Sequence, residues 1–258
     1  MNYHQKLIIS GLHFEYYKYE KSLRRDFTRK KKEKKEAPHE QMLIDDLIKT
    51  EAEIVEARYV KRAKRKDSIS RTRTQVRRLT NSNPDLTKFV TLTFKENILD
   101  VTVANRLFNK FIMRLKYKYL DFKYVSFIEF QIKRGIKNGD GGAVHYHFLC
   151  DLPYIKNKEL TKIWSHGHVK INKLENVDNI GAYVCKYLNK DMTDERLFNR
   201  KKYFCSKNIE KPTTIFDEEI IKKVFSEFGL DDLKPDFEST FSNEFIGSVE
   251  YKAFKLKI

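Results

Sequence analysis

From residue 88 onward, apolar and polar positions fall into short blocks whose period switches between two and about 3.6. Lys88 to Phe94 (KFVTLTF) alternates, with Phe89, Thr91 and Thr93 on one side and Val90, Leu92 and Phe94 on the other, which predicts a strand. Val103, Leu107, Phe108, Phe111, Ile112 and Leu115 then recur at three and four residues, which predicts a helix. Phe122 to Lys133 and Ala143 to Asp151 are two further strands. The GIKNGDGG between them suits a hairpin turn, so the two should be antiparallel neighbours. Lys156 to Trp164 is a short helix, His168 to Leu174 a strand and Val177 to Lys190 a helix. This order predicts an α+β fold with a central antiparallel sheet flanked by helices.

The texture differs on either side. Asn81-Ser82-Asn83-Pro84-Asp85 is the clearest turn cluster, and a boundary is placed there. The division is residues 1–80 as a basic, partly helical N-terminal region, 81–212 as the main domain and 213–258 as a partly helical tail. In the tail, Phe216 to Phe228 has helical spacing through Ile220, Ile221, Val224, Phe225 and Phe228. Met42 to Val60 in the first region also reads as a helix.

Charge sharpens the picture. The 258 residues hold 52 Lys plus Arg against 36 Asp plus Glu, a net +16 that favours a polyanionic partner, with nucleic acid ahead of anionic membrane. Two blocks, Lys21 to Lys35 and Arg58 to Arg78, concentrate this charge. Lys30, Lys31, Lys32, Arg62, Arg65, Arg77 and Arg78 are the candidate phosphate contacts, although such runs also make solvated faces, and both roles can hold at once. No apolar stretch approaches the roughly 20 residues of a membrane span, and the N-terminus lacks the order of a signal peptide, which predicts a cytoplasmic protein. Cys150, Cys185 and Cys205 are odd in number and form no CxxC, so neither a disulfide framework nor a thiolate zinc site is expected.

The chemistry begins with His145 and His147, two apart in a strand and so on one face of the sheet. If the hairpin folds about residue 138, Glu129 faces His147 and Gln131 faces His145 on that same side. Two imidazoles and a carboxylate suit Mg²⁺ or Mn²⁺ bound to a phosphate. His166 and His168 form a second spaced pair, but at a loop-to-strand junction with Gly167 between them, and are read as structural. In the last helix Tyr183, Lys186, Tyr187 and Lys190 share one face, apart from the core stripe of Ile180, Val184 and Leu188. A phenol with a pKa of about 10 is a poor nucleophile unless a cation favours phenolate and a metal polarises the target. Tyr183, with Lys186 beside it, is the candidate nucleophile, and Tyr187 a second phenol one turn on.

Three motifs in order, Phe89-Val90-Thr91-Leu92-Thr93-Phe94, Ala143 to Leu149 around His145-Tyr146-His147, and Gly181 to Leu188 around Tyr183-x-x-Lys186, resemble the HUH endonuclease superfamily. Among its members, the chain looks like the rolling-circle replication initiators related to the filamentous-phage gene II type and to plasmid Rep proteins. The resemblance spans about residues 88 to 205. It implies one divalent metal held by His145, His147 and Glu129, and Tyr183 as the nucleophile that joins the 5′ phosphate of the cut strand. Relaxases carry their tyrosine ahead of the histidines, whereas here it follows them, which favours a replication initiator or a single-tyrosine transposase. The expected partner is origin DNA, single-stranded at the nick, with a host polymerase. A host helicase is expected too, because GIKNGDGGA lacks the GK[ST] ending of a phosphate loop. The reading from another class is a non-catalytic nucleic-acid module, but the ordered aromatic pattern of RNA-recognition sheets is absent.

Overall fold

A computed structural model describes residues 2–24, 67–131, 142–174, 180–188, 194–198 and 200–256. Its centre is the predicted unit. β3 (Lys88–Phe94), β4 (Tyr124–Gln131), β5 (Ala143–Cys150) and β6 (Gly167–Lys173) are joined by β7 (Tyr203–Cys205) in a five-stranded sheet of order β6-β3-β5-β4-β7. Every pairing in it is antiparallel. With α1 formed by residues 67–81, the other helices are α2 (Val101–Lys118), α3 (Asn157–Trp164), α4 (Ile180–Tyr187) and α5 (Glu218–Glu227). No helix among the described residues is long and apolar enough to cross a membrane.

Period-two burial sorts the central sheet into two faces. Val90, Leu92 and Phe94 of β3, Val144, Tyr146 and Phe148 of β5 and Ile128 and Phe130 of β4 pack against α2 and α3 through Phe108, Phe111 and Trp164. Helix α2 starts at Asp100, whose carboxylate accepts from the Thr102 backbone N–H at 2.6 Å and satisfies an otherwise orphaned donor. The opposite face carries Phe89, Val125, Phe127 and Leu149 under Val76 and Leu79 of α1, Val184 of α4 and Leu188 just past its end. Thus α1 and α4 lie on one side of the sheet, and α2 and α3 on the other.

The flanking regions depart from expectation. Residues 2–24 form β1 (Asn2–Ser10) and β2 (His13–Arg24), two strands in the region expected to be basic and partly helical. They pair with β8 (Thr213–Ile215), β9 (Phe237–Asn243) and β10 (Gly247–Lys255) from the far end of the chain in a second antiparallel sheet, β8-β1-β2-β10-β9. α5 is the helix expected in the tail, and it covers this sheet through Ile221, near Leu7, Phe14, Leu230 and Phe254. The physical reason for the departure is that β1 and β2 gain an apolar partner only from the opposite end of the chain. Their own alternation is broken by lysines and glutamates. The Met42 to Val60 helix, and with it Lys30, Lys31, Lys32, Arg62 and Arg65, lies outside the described residues.

The two sheets meet at α1. Gly11, in the β1–β2 turn with φ 59°, lies so close to Asn81 that a Cβ would sit 2.3 Å from the Asn81 carbonyl oxygen. Only glycine adopts that conformation without strain and leaves that space.

Candidate active site

The face under α1 and α4 turns polar at one end. Thr91 of β3 is opposite His147 of β5, and Glu129 of β4 is opposite His145. The hairpin is therefore offset by two residues from the expected register: Phe127, not Glu129, lies across from His147, and Gln131 pairs with Ala143. The pairing is centred on residue 137 rather than 138, which moves every partner by two while keeping each side chain on its face. The same-face grouping of Glu129, His145 and His147 survives for that reason.

Both histidines are buried, at 5% exposure each, whereas the Glu129 side chain retains 33%. Glu129 reaches diagonally to His147, whose Nε2 contacts its Oε2. On its other side His147 Nδ1 lies 3.0 Å from the Thr91 hydroxyl. With Nδ1–H donating to Thr91, the Nε2 lone pair faces a carboxylate oxygen. Two such electron-pair donors attract only through a proton or a cation between them. Among the described residues no group of three His, Cys, Asp or Glu side chains is arranged to hold a metal ion. What the fold brings together is the Glu129–His147 pair with its Thr91 support and His145 on the same face. Imidazole nitrogens and a carboxylate oxygen are the kinds of donor that divalent cations accept.

Tyr146, between the histidines, turns to the other face. It stacks on Phe108 at 4.3 Å between ring centroids and donates to Asn105 Oδ1 at 2.6 Å, and burial pushes its phenol well above the usual range. It is a core residue that fixes β5 on α2.

Tyr183 is half-buried on α4 and meets the edge of Phe89 at 5.9 Å. Phe89 in turn stacks on the His147 ring at 5.4 Å, and Phe127 stacks on it at 5.7 Å. Helix α4 approaches α1 closely: a Cβ on Gly181 would meet Asn81 Oδ1 at 2.6 Å and the Arg77 carbonyl at 2.9 Å. Lys186 and Tyr187 belong to the last turn of α4, and their side chains lie outside the described residues. His166 and His168 fall at the loop-to-strand junction expected for them, where the His166 carbonyl accepts from the Lys95 backbone N–H.

Arg77 and Arg78, expected as phosphate contacts, both bind Glu15 of β2. Thr91 and Phe89 had no role assigned from sequence. Their parity with His147 on the neighbouring strand was the available signal, but the β3–β5 register was not.

No curated protein and no solved structure matches the chain. A family of replication-associated proteins, described by its ORF2 and gene II protein members, does match, over residues 87–192, which run from the start of β3 past the end of α4. Over residues 87–192 the chain is therefore similar to that replication-associated family, in the same segment that carries the three motifs.

Proposed function

We propose that this chain initiates rolling-circle replication by cutting one DNA strand through attack of the Tyr183 hydroxyl on a backbone phosphate. The observation that carries the reading is the file Tyr183, Phe89, His147 and Glu129 on one sheet face, inside the segment matched to replication-associated proteins. His145, His147 and Glu129 would hold Mg²⁺ or Mn²⁺, which when bound polarises the scissile phosphate and offsets its developing charge. With its Nδ1–H donated to the Thr91 hydroxyl 3.0 Å away, His147 would present Nε2 as an electron-pair donor. Phe89 supports both Tyr183 and the His147 ring, and so sets their separation. Lys186, at i+3 from Tyr183, adds positive charge that favours phenolate.

In the transfer, the Tyr183 oxygen bonds to phosphorus while the bond from phosphorus to the 3′ oxygen breaks. The leaving oxygen takes up a proton, and the phenol proton passes to solvent. One phosphodiester replaces another, so the 5′-phosphotyrosine can be rejoined without a nucleotide cofactor. The freed 3′-OH primes a polymerase, and a host helicase opens the duplex in the cytoplasm. Tyr187 is not needed for the first cut.

The test uses supercoiled plasmid carrying the DNA that flanks the gene. Wild-type protein with Mn²⁺ should give nicked circles with protein attached, and peptide mapping should place the nucleotide on Tyr183. Tyr183→Phe, which keeps the ring, should bind the plasmid but form no adduct. An adduct on Tyr187, or normal nicking by Tyr183→Phe, overturns the assignment.

A further inference from the structure

Two recesses adjoin α1 outside the Glu129–His147 centre, and Arg77 lines both. The first, of about 290 Å³, lies between α1 and α4 and is lined by Ser70, Arg73, Thr74, Arg77, Ala182 and Cys185. Ala182 is exposed and adjoins Tyr183 in sequence. The Arg73 Nε in this groove is buried and has no hydrogen-bond partner among the described residues. A buried guanidinium donor left unsatisfied costs free energy unless water or a ligand supplies the acceptor. The second recess, of about 470 Å³, lies between α1 and the second sheet, with Arg77, His13, Lys255, Tyr251 and Phe237 among its walls. That volume is within the ~300–1,000 Å³ range of small-ligand sites.

The second recess combines ring faces with positive charge. Phe237 is 57% exposed, and its ring centroid is 6.0 Å from that of Tyr251. Lys255 and His13 are cross-strand partners on the same sheet face. Two carboxylates also line it: Glu15 accepts from Arg77 and Arg78, and Asp236 accepts from the Lys255 backbone N–H at 2.6 Å. The His13 pKa is lowered by burial and then by the charges of Lys255 and Arg77, against the opposing charges of Glu15 and Asp236. An aromatic face beside Arg and Lys, in a chain of net charge +16, fits a base stacked on a ring with its phosphate on the cations.

We propose that the two recesses form one track for single-stranded DNA. The strand leaves the tyrosine helix along the α1–α4 groove, where Arg73 takes a phosphate, passes Arg77 and stacks a flanking base on Phe237 in the second sheet. The direction of the track rests on the nicking reading, but its affinity for single strands does not. It gives the second sheet, outside the matched segment, a share in holding the strand.

The test is fluorescence anisotropy of the full chain with a labelled oligothymidylate across a salt series. Phe237→Ala should weaken binding about tenfold, because removing one stacking ring has roughly that effect and the exposed side chain carries little of the core. Arg73→Gln should flatten the salt dependence by about one phosphate contact. Lys255→Gln serves as the charge test if melting curves show Arg73→Gln to be unfolded. Unchanged affinity in Phe237→Ala overturns the cleft, and an unchanged salt slope in the charge variant overturns the groove. Sedimentation showing a dimer that Phe237→Ala dissolves, with single-strand affinity intact, assigns the face to a second copy and also overturns the track. Binding through Phe237 by a protein that forms no phosphotyrosine would leave the track standing and refute the nicking.

Discussion

Arg78 of α1 forks onto the Glu15 carboxylate of β2, with Nε 3.1 Å from Oε1 and Nη2 2.6 Å from Oε2. Arg77 adds a third bond at 3.1 Å, and the Tyr17 hydroxyl donates to the same carboxylate. Glu15 is 6% exposed, so two guanidinium groups and a carboxylate are joined away from most water. α1 is thereby tied to the second sheet, while Gly181 of the tyrosine helix lies against it at Arg77 and Asn81.

Replacing Glu15 by Gln should destabilise the fold by about 3 kcal/mol, because it leaves two arginines without their counter-charge. Burial alone would raise the Glu15 pKa, but the hydrogen bonds and charge of Arg78, then the charge of Arg77, outweigh it and hold the carboxyl below its ordinary 4.5. A depressed folded-state pKa contributes stability that is present above pH 4.5 and lost as pH falls through the folded value. Urea unfolding from pH 7 to pH 3 should therefore show a steeper acid loss in wild type than in Glu15→Gln. Parallel curves would mean that the cluster contributes no pH-dependent stability.

Gly181→Ala should push α4 away from α1, since the added methyl group meets backbone at 2.9 Å and the Asn81 side chain at 2.6 Å. The expected cost is about 1–3 kcal/mol of stability. A displaced phenol should also slow nicking by on the order of 100-fold. Melting temperature and single-turnover nicking check the two effects separately. A variant of normal stability and normal rate would show that the close approach relaxes without consequence.

Mn²⁺ at about 100 times its dissociation constant should raise wild-type stability by about 2.7 kcal/mol, and should not stabilise His147→Ala. Calorimetry with and without Mn²⁺ reads this directly, independent of any DNA. Equal stabilisation of both proteins would place the ion elsewhere.

Thr91→Val keeps the side-chain shape but removes the hydroxyl 3.0 Å from His147 Nδ1. Loss of such an orienting bond should weaken Mn²⁺ binding about 10- to 100-fold while His147 remains in place. Titration calorimetry checks it, and unaltered affinity would leave Thr91 as a packing residue only.

The sequence alone determined what depends on near neighbours. Strand β3, helix α2, hairpin β4–β5 and the tyrosine helix follow from periods of two and 3.6, because those periods are properties of the local backbone. That His145 and His147 share a face with Glu129 is likewise a matter of parity, and it survived a two-residue error in register. Tertiary structure alone decided which residue on that face meets which. The diagonal contact of Glu129 with His147, the support of Thr91 and the stacking of Phe89 between His147 and Tyr183 all require register across strands that the turn lengths set. The second sheet was hidden for a stronger reason. Its β2–β10 pairing joins Phe14 to Phe254, and each strand alone offers too little apolar surface to declare itself. Arg77 and Arg78 read as free positive charge until the fold placed Glu15 against them, because an ion pair between distant segments leaves no periodic trace in either one.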